Sequence, residues 1–121
     1  MTNPSLIDSS ELKPPLFFCD DGDLIYFLSW DNAASYIEPI DIENGVYTCF
    51  DSTGLFFDLA LGDDNSIVAY LNGDSSSEQL SYIRKMLERS LQSIGVEFDS
   101  EISLDKLLAF YVDHMRPVYQ P

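Results

Sequence analysis

The chain has 121 residues, with 21 acidic against 6 basic side chains for a net charge of −15, and 45% hydrophobic residues that include 8 Phe, 7 Tyr and one Trp. That length suits one domain, and the apolar and aromatic content excludes a chain kept disordered by low hydrophobicity. The charge excludes binders of nucleic acid or of anionic membranes, whose contacts need Lys and Arg, and no apolar run approaches the roughly 20 residues that span a bilayer.

Residues 1–15 are polar and Pro-rich, without period, and read as a loose arm ending at Pro14-Pro15, ahead of a single domain over 16–121. Leu16–Cys19 and Leu24–Leu28 are short apolar runs around Asp20-Asp21-Gly22-Asp23, which predicts a hairpin. Ser29 is placed to cap a short helix through Asp31, Ala33, Ala34 and Ile37, which Pro39 stops. In the stretch 39–45, Asn44-Gly45 would suit a hairpin turn. A single helical turn capped by Asp41 and left through Gly45 fits better, because Pro39 is poor in a central strand.

Three strands follow, Val46–Phe50, Leu55–Leu61 and Ile67–Leu71, separated by the turns Asp51–Gly54 and Gly62–Ser66. In the second, Leu55, Phe57, Leu59 and Leu61 share a face and Asp58 takes the other. Ser75 with Glu78 fits a capping box for a helix whose stripe is Leu80, Ile83, Leu87, Leu91 and Ile94, closed by Gly95. Ser103 starts a last helix with Leu104, Leu107, Leu108, Tyr111 and Val112 inward, fading before Pro117. The predicted fold is α+β: an antiparallel sheet of about five strands, a short helix after the second strand, and two C-terminal helices packed on one face.

The charge is lopsided. Residues 1–74 carry −13 with Lys13 as their single base, whereas residues 75–121 carry −2. A solvated surface that keeps the chain soluble is the plain reading. A negative field that attracts a basic partner is the functional one, and the clustering of acids in turns favours it.

Enzyme chemistry finds little support. Asp20-Asp21-Gly22-Asp23 lacks the ligand spacing of a calcium-binding EF-hand, and Asp63-Asp64-Asn65 is weaker still. His114, the only histidine, reads as a helix-end residue, and no nucleophile-elbow pattern accompanies it. Cys19 and Cys49 read as small core residues, too few with one distant histidine for a zinc site or a disulfide framework. No catalytic residue, metal or cofactor is expected. Trp30 fits a core or lid role, with an interface anchor as the alternative, since it stands among Asp20, Asp23 and Asp31 in the sequence. Arg84, Lys85 and Arg89 form at most a small basic patch on a solvated helix face.

The run Tyr36-Ile37-Glu38-Pro39-Ile40-Asp41-Ile42-Glu43-Asn44-Gly45-Val46-Tyr47, followed by Phe50-Asp51-Ser52-Thr53-Gly54, resembles a pattern in small acidic immunity proteins of bacterial contact-dependent inhibition and Rhs-type toxin systems. The resemblance covers residues 24–71, and its aligned positions Pro39, Asp41, Gly45, Asp51 and Gly54 are turn and cap positions. It implies a cytoplasmic protein that binds and blocks one cognate toxin domain. Such a protein would be monomeric when free and would touch neither nucleic acid nor membrane. The resemblance carries over no contact residue; from charge and aromatic character alone, the residues expected to meet the partner are Asp20, Asp21, Asp23, Trp30, Asp31, Glu38, Asp41, Glu43, Asp63 and Asp64. The alternative is an acidic adaptor, chaperone or nucleic-acid-mimicking regulator of another basic protein.

Overall fold

The computed structural model describes residues 6–7, 9–20, 23–64, 66–71 and 77–118. Six strands, β1 (Leu6–Ile7), β2 (Leu16–Asp20), β3 (Asp23–Phe27), β4 (Tyr47–Phe50), β5 (Phe56–Leu61) and β6 (Ile67–Leu71), form one sheet. Its spatial order is β1-β6-β5-β4-β2-β3, and every neighbouring pair is antiparallel. Helices α1 (Trp30–Tyr36) and α2 (Pro39–Glu43) link β3 to β4, and α3 (Ser77–Ser93) and α4 (Leu104–His114) end the chain. The fold is the expected α+β domain.

The strands are rich in β-branched and aromatic residues but do not alternate with polar ones, because both faces of the sheet are covered. On one face Phe17, Cys19, Leu24, Tyr26, Phe50 and Phe56 pack beneath α3 and α4, against Ile83, Met86, Leu87, Leu91, Leu107, Leu108 and Tyr111. On the other, Leu16, Phe18, Phe27, Cys49, Phe57 and Ala69 pack with Ala33 and Ile37 of the α1–α2 segment and with Leu12. Stacked and edge-on rings run through both layers, Phe17 on Phe50 at 5.1 Å and Phe18 against Phe27 at 5.0 Å between centroids.

Within the segment expected to be a loose arm, Leu6–Ile7 pairs with Tyr70 and Ala69, a turn of 3-10 helix covers Ser9–Glu11, and Leu12 is buried. Lys13 is held at its backbone: its N–H donates to Asp51 Oδ2 at 3.1 Å and its carbonyl accepts from Ser52 N–H at 3.0 Å. Asp51 is the buried polar residue of the described core, 1% exposed. Its Oδ1 accepts from Thr53 N–H (2.9 Å), Thr53 Oγ1 (2.6 Å) and Leu55 N–H (3.1 Å). One carboxylate thus closes the β4–β5 turn and ties the N-terminal segment across the sheet.

The helix ends follow the local chemistry. Ser29 accepts from Asn32 N–H at 3.1 Å and Ser103 from Lys106 N–H at 3.4 Å, as capping serines do. Gly45 (φ 65°) and Gly95 (φ 76°) are the expected left-handed exits. Asp41 does not cap α2. Pro39, preset for the first helical position, starts the helix three residues earlier, Glu38 takes the cap position, and Asp41 falls in the first turn. The proposed capping box at Ser75 lies outside the described residues. Of the α3 stripe, Ile83, Leu87 and Leu91 are fully buried, whereas Leu80 (41%) and Ile94 (50%) are exposed. Met86 takes up the seam where the stripe drifts, and Ile94 falls past the helix end. On α4, Leu107, Leu108 and Tyr111 are buried as expected, with Leu104 and Val112 half-buried.

Two tyrosines fasten α4 to the edge strand β3. Tyr111 donates its hydroxyl to the Leu24 carbonyl at 3.0 Å, and the Tyr26 hydroxyl reaches the Val112 and Met115 carbonyls at 3.2 and 2.5 Å. Val118 N–H then bonds the Tyr26 carbonyl at 2.8 Å. Burial pushes the phenol of Tyr111 well up, with the Tyr26 and Cys19 side chains adding to it, and pushes that of Tyr82 up to about 12.

Asp51→Ala leaves several buried donors unpaired and is expected to cost about 3 kcal/mol, read as a lowered urea midpoint at unchanged m-value. The buried phenols make a second test. A raised folded-state value means stability that is complete below the free-tyrosine value of 10.0 and lost as pH climbs through the folded one. The urea midpoint is therefore expected to fall from pH 10 towards pH 12, with a shallower fall in Tyr111→Phe.

Candidate functional site

Since both faces of the sheet are buried, charge leaves through its ends. The β2–β3 hairpin, the start of β4 and the β5–β6 turn all lie at one end, as the antiparallel registers require. Asp20 pairs with Asp23 across the hairpin and with Tyr47 across β2–β4. Glu43 closes α2 just before β4, and Asp63 and Asp64 sit in the β5–β6 turn, where Asp64 Oδ1 accepts from Ser66 N–H at 3.0 Å. The Ser66 side chain first, and then that backbone bond, hold the Asp64 carboxyl below the usual carboxylate range. Asp20, Asp23, Glu43, Asp63 and Asp64 are all exposed. At a strand spacing of about 4.8 Å, the two Asp-bearing turns stand roughly 15 Å apart.

Asp41 joins this end from α2: its carbonyl accepts from Val46 N–H at 3.1 Å, directly before Tyr47. The Tyr47 phenol is pushed up by burial first and then by the Asp41 and Asp20 carboxylates and the neighbouring Tyr36. Tyr47 also packs edge-on against Phe18, with centroids 5.6 Å apart. Beside it a cavity of about 340 Å³ opens between α2 and β4–β5, lined by Ile42, Gly45, Tyr47, Asp58 and Leu59. None of these five was anticipated as a site residue. Asp58 carried the available signal, as a carboxylate within the apolar run Phe56–Leu61.

The structure does not bring every expected residue to this end. Trp30 and Asp31 begin α1 beyond the opposite end of β3, more than about 13 Å along the strand from Asp23. Trp30 is half-buried against the Phe18–Phe27 layer, so its closeness to Asp20 and Asp23 in sequence is not closeness in space. Glu38 is exposed between α1 and α2. Asp21 lies outside the described residues. Among the described residues no group of three or more His, Cys, Asp or Glu side chains is placed to hold a metal ion.

No Lys or Arg occurs between residues 14 and 83, so nothing in the strand region neutralises this end from within. On the α3 side, Arg89 and Asp23 line a larger cavity of about 630 Å³ together with Leu24, Ile25 and Met115. Arg84 is engaged elsewhere, pairing with Glu88 at 3.6 Å and donating to the carbonyls of Ser100 and Ile102 in the α3–α4 loop. His114 stands exposed in the last turn of α4, with Nδ1 2.9 Å from the Phe110 carbonyl. Cys19 and Cys49 are buried and unbridged, and burial pushes the Cys49 thiol well up, with Asp58 adding to it, which keeps it a poor nucleophile.

Comparison with protein-family models, with curated proteins and with solved structures returns no match. No helix among the described residues is long and apolar enough to cross a membrane.

Two carboxylates about 10 Å apart repel by roughly 0.4 kcal/mol in water, and salt with a Debye length of about 8 Å removes most of that. Raising salt from about 10 to 150 mM is therefore expected to stabilise the protein by about 1 kcal/mol. Urea titrations of a variant with Asp20, Asp23, Asp63 and Asp64 all replaced by Asn are expected to show little of that gain.

Proposed function

We propose that the protein is a binding protein without chemistry of its own, whose acidic sheet end meets a basic protein surface. By the resemblance over residues 24–71, the partner is a bacterial toxin domain that the bound protein holds inactive in the cytoplasm. The observation that supports this reading is the gathering of Asp20, Asp23, Asp41, Glu43, Asp63 and Asp64 at one end of a sheet region that contains no Lys or Arg.

Charge of this kind acts before contact. Steering by complementary fields lifts association from about 10⁵–10⁶ to 10⁸–10⁹ M⁻¹s⁻¹, and like charge turns away nucleic acid and most acidic proteins. Affinity needs buried anchors as well, because exposed ion pairs contribute little each. Tyr36 (44% exposed), whose ring packs on Phe27 at 5.5 Å between centroids, and Ile40 (58%) are exposed apolar surfaces on the α1–α2 segment that can supply such anchors. A standard interface of about 1,600 Å² would cover the sheet end and this segment together. Trp30, at the far end of β3, falls outside that footprint.

The test starts with affinity capture from the native cell, followed by stopped-flow association with the captured protein. Replacing Asp20, Asp23 and Asp63 together by Lys is expected to slow association at least about tenfold while changing dissociation less than about twofold. The wild-type on-rate falls as salt rises, and the partner's activity is lost on binding. An on-rate indifferent to salt and to the three reversals would overturn the electrostatic reading. A partner that stays active in the complex would make the protein an adaptor instead.

A further inference from the structure

We propose that the slot between α4 and the start of β2 binds a linear aliphatic diamine, with Asp105 and Asp113 holding its two ammonium groups and the apolar surface between them covering its methylenes. The slot has a volume of about 300 Å³, at the small end of the roughly 300–1,000 Å³ that ligand sites occupy. It opens beside Pro15 and Ser52, at the end of the sheet opposite the acidic turns. Phe17, Leu108, Ala109 and Val112 give it apolar walls, and Asp105 and Asp113 are its carboxylates.

The helix sets the geometry. Positions 105, 108, 109, 112 and 113 fall on one face of α4, so the two carboxylates flank the apolar side chains. At about 1.5 Å rise per residue, Asp105 and Asp113 stand roughly 12 Å apart along the helix axis. Among the described residues neither forms an ion pair, and no Lys or Arg lines the slot. Asp105, in the first turn, suits the helix dipole without any ligand. Asp113 does not: it stands in the last turn, at the negative end, where an acid is unfavourable until a cation meets it. Its carboxylate also lies close enough to the Tyr26 phenol to push it up, after burial.

An anion at each end and apolar surface between them select a ligand that is cationic at both ends and aliphatic in the middle. A lysine side chain of a protein brings one ammonium and cannot serve both carboxylates. Extended 1,8-diaminooctane, at about 1.25 Å advance per bond, spans roughly 11 Å between its nitrogens and matches the helix spacing. The larger cavity beside α3 differs, because Arg89 already lines it.

The probe is 1,8-diaminooctane, titrated into the full isotopically labelled chain at about 150 mM salt, which screens diffuse attraction, and followed by NMR. Saturable shifts are expected at the Leu108, Ala109 and Val112 methyls and at the Phe17 ring. 1,4-Diaminobutane, too short to reach both carboxylates and with fewer methylenes to bury, is expected to bind at least about fivefold more weakly. 1,8-Octanediol, equally long and uncharged, is expected to give no saturable shift. Ala109→Leu fills the slot from an exposed helix position without changing the charge, and is expected to weaken diamine binding at least about tenfold. Asp105→Asn and Asp113→Asn are each expected to weaken it at least about threefold, whereas Glu97→Gln, the same loss of charge at an exposed site in the α3–α4 loop, changes it less than about 1.5-fold. The amide spectrum of each variant reports that the fold is kept. Shifts that never saturate, equal binding of the short diamine, undiminished binding in Ala109→Leu, or a Glu97→Gln effect as large as that of Asp113→Asn would each overturn the proposal. None of these residues belongs to the acidic sheet end, so the partner reading stands or falls on its own test.

Discussion

Burial of the sheet on both faces is the constraint from which the rest of the molecule follows. Phe17 and Phe18, adjacent in sequence, are both fully buried because one points under α3 and α4 and the other under the α1–α2 segment. Strands of this kind have almost no position where a charge can stand in water along their length. Apart from Asp58, exposed within β5, the acidic side chains of the described sheet stand at strand termini and in turns, and the antiparallel order places several of those turns at one end. The concentration of charge is thus a consequence of how the core is built, and its cost is kept small by solvent and salt.

Aspartate plays two opposite parts in the same sheet. At the acidic end Asp20, Asp23, Asp63 and Asp64 stand in water, and their substitution touches little of the packing. At the other end Asp51 is buried and accepts four hydrogen bonds, from the backbone of Lys13, Thr53 and Leu55 and from the Thr53 hydroxyl. A buried carboxylate is tolerable there because its lone pairs are spent on N–H and O–H donors that would otherwise lack partners. The separation of these parts leaves the acidic end able to vary while the clamp stays fixed.

Local chemistry was legible in the sequence wherever neighbours in the chain decide it. The capping serines 29 and 103, the left-handed exits at Gly45 and Gly95, the strand from Leu16 and the inward residues of α4 all rest on contacts within a few positions. What depends on distant residues was not legible. Asp51 read as an ordinary turn residue because its partner Lys13 lies 38 positions away. The two-residue strand β1 is too short to carry a period, and only its pairing with β6 reveals it. Trp30 seemed to belong with Asp20 and Asp23 because a hairpin strand separates places that the chain numbers nearly together. The gathering of the acidic turns needed strand order, and the cavity at Tyr47 needed side chains from α2, β4 and β5 that no spacing rule connects.

The way the β3 edge is closed has a consequence for recognition. Its outward carbonyls at Leu24 and Tyr26 are already occupied, one by the Tyr111 hydroxyl and the other by the Val118 amide. A foreign chain cannot lengthen the sheet there without first prising away both the last helix and the segment behind it. Backbone-to-backbone zippering, which accepts nearly any sequence, is therefore shut out along this margin. Discrimination between one visitor and another falls to side chains, which mutation can rewrite singly without reshaping the scaffold.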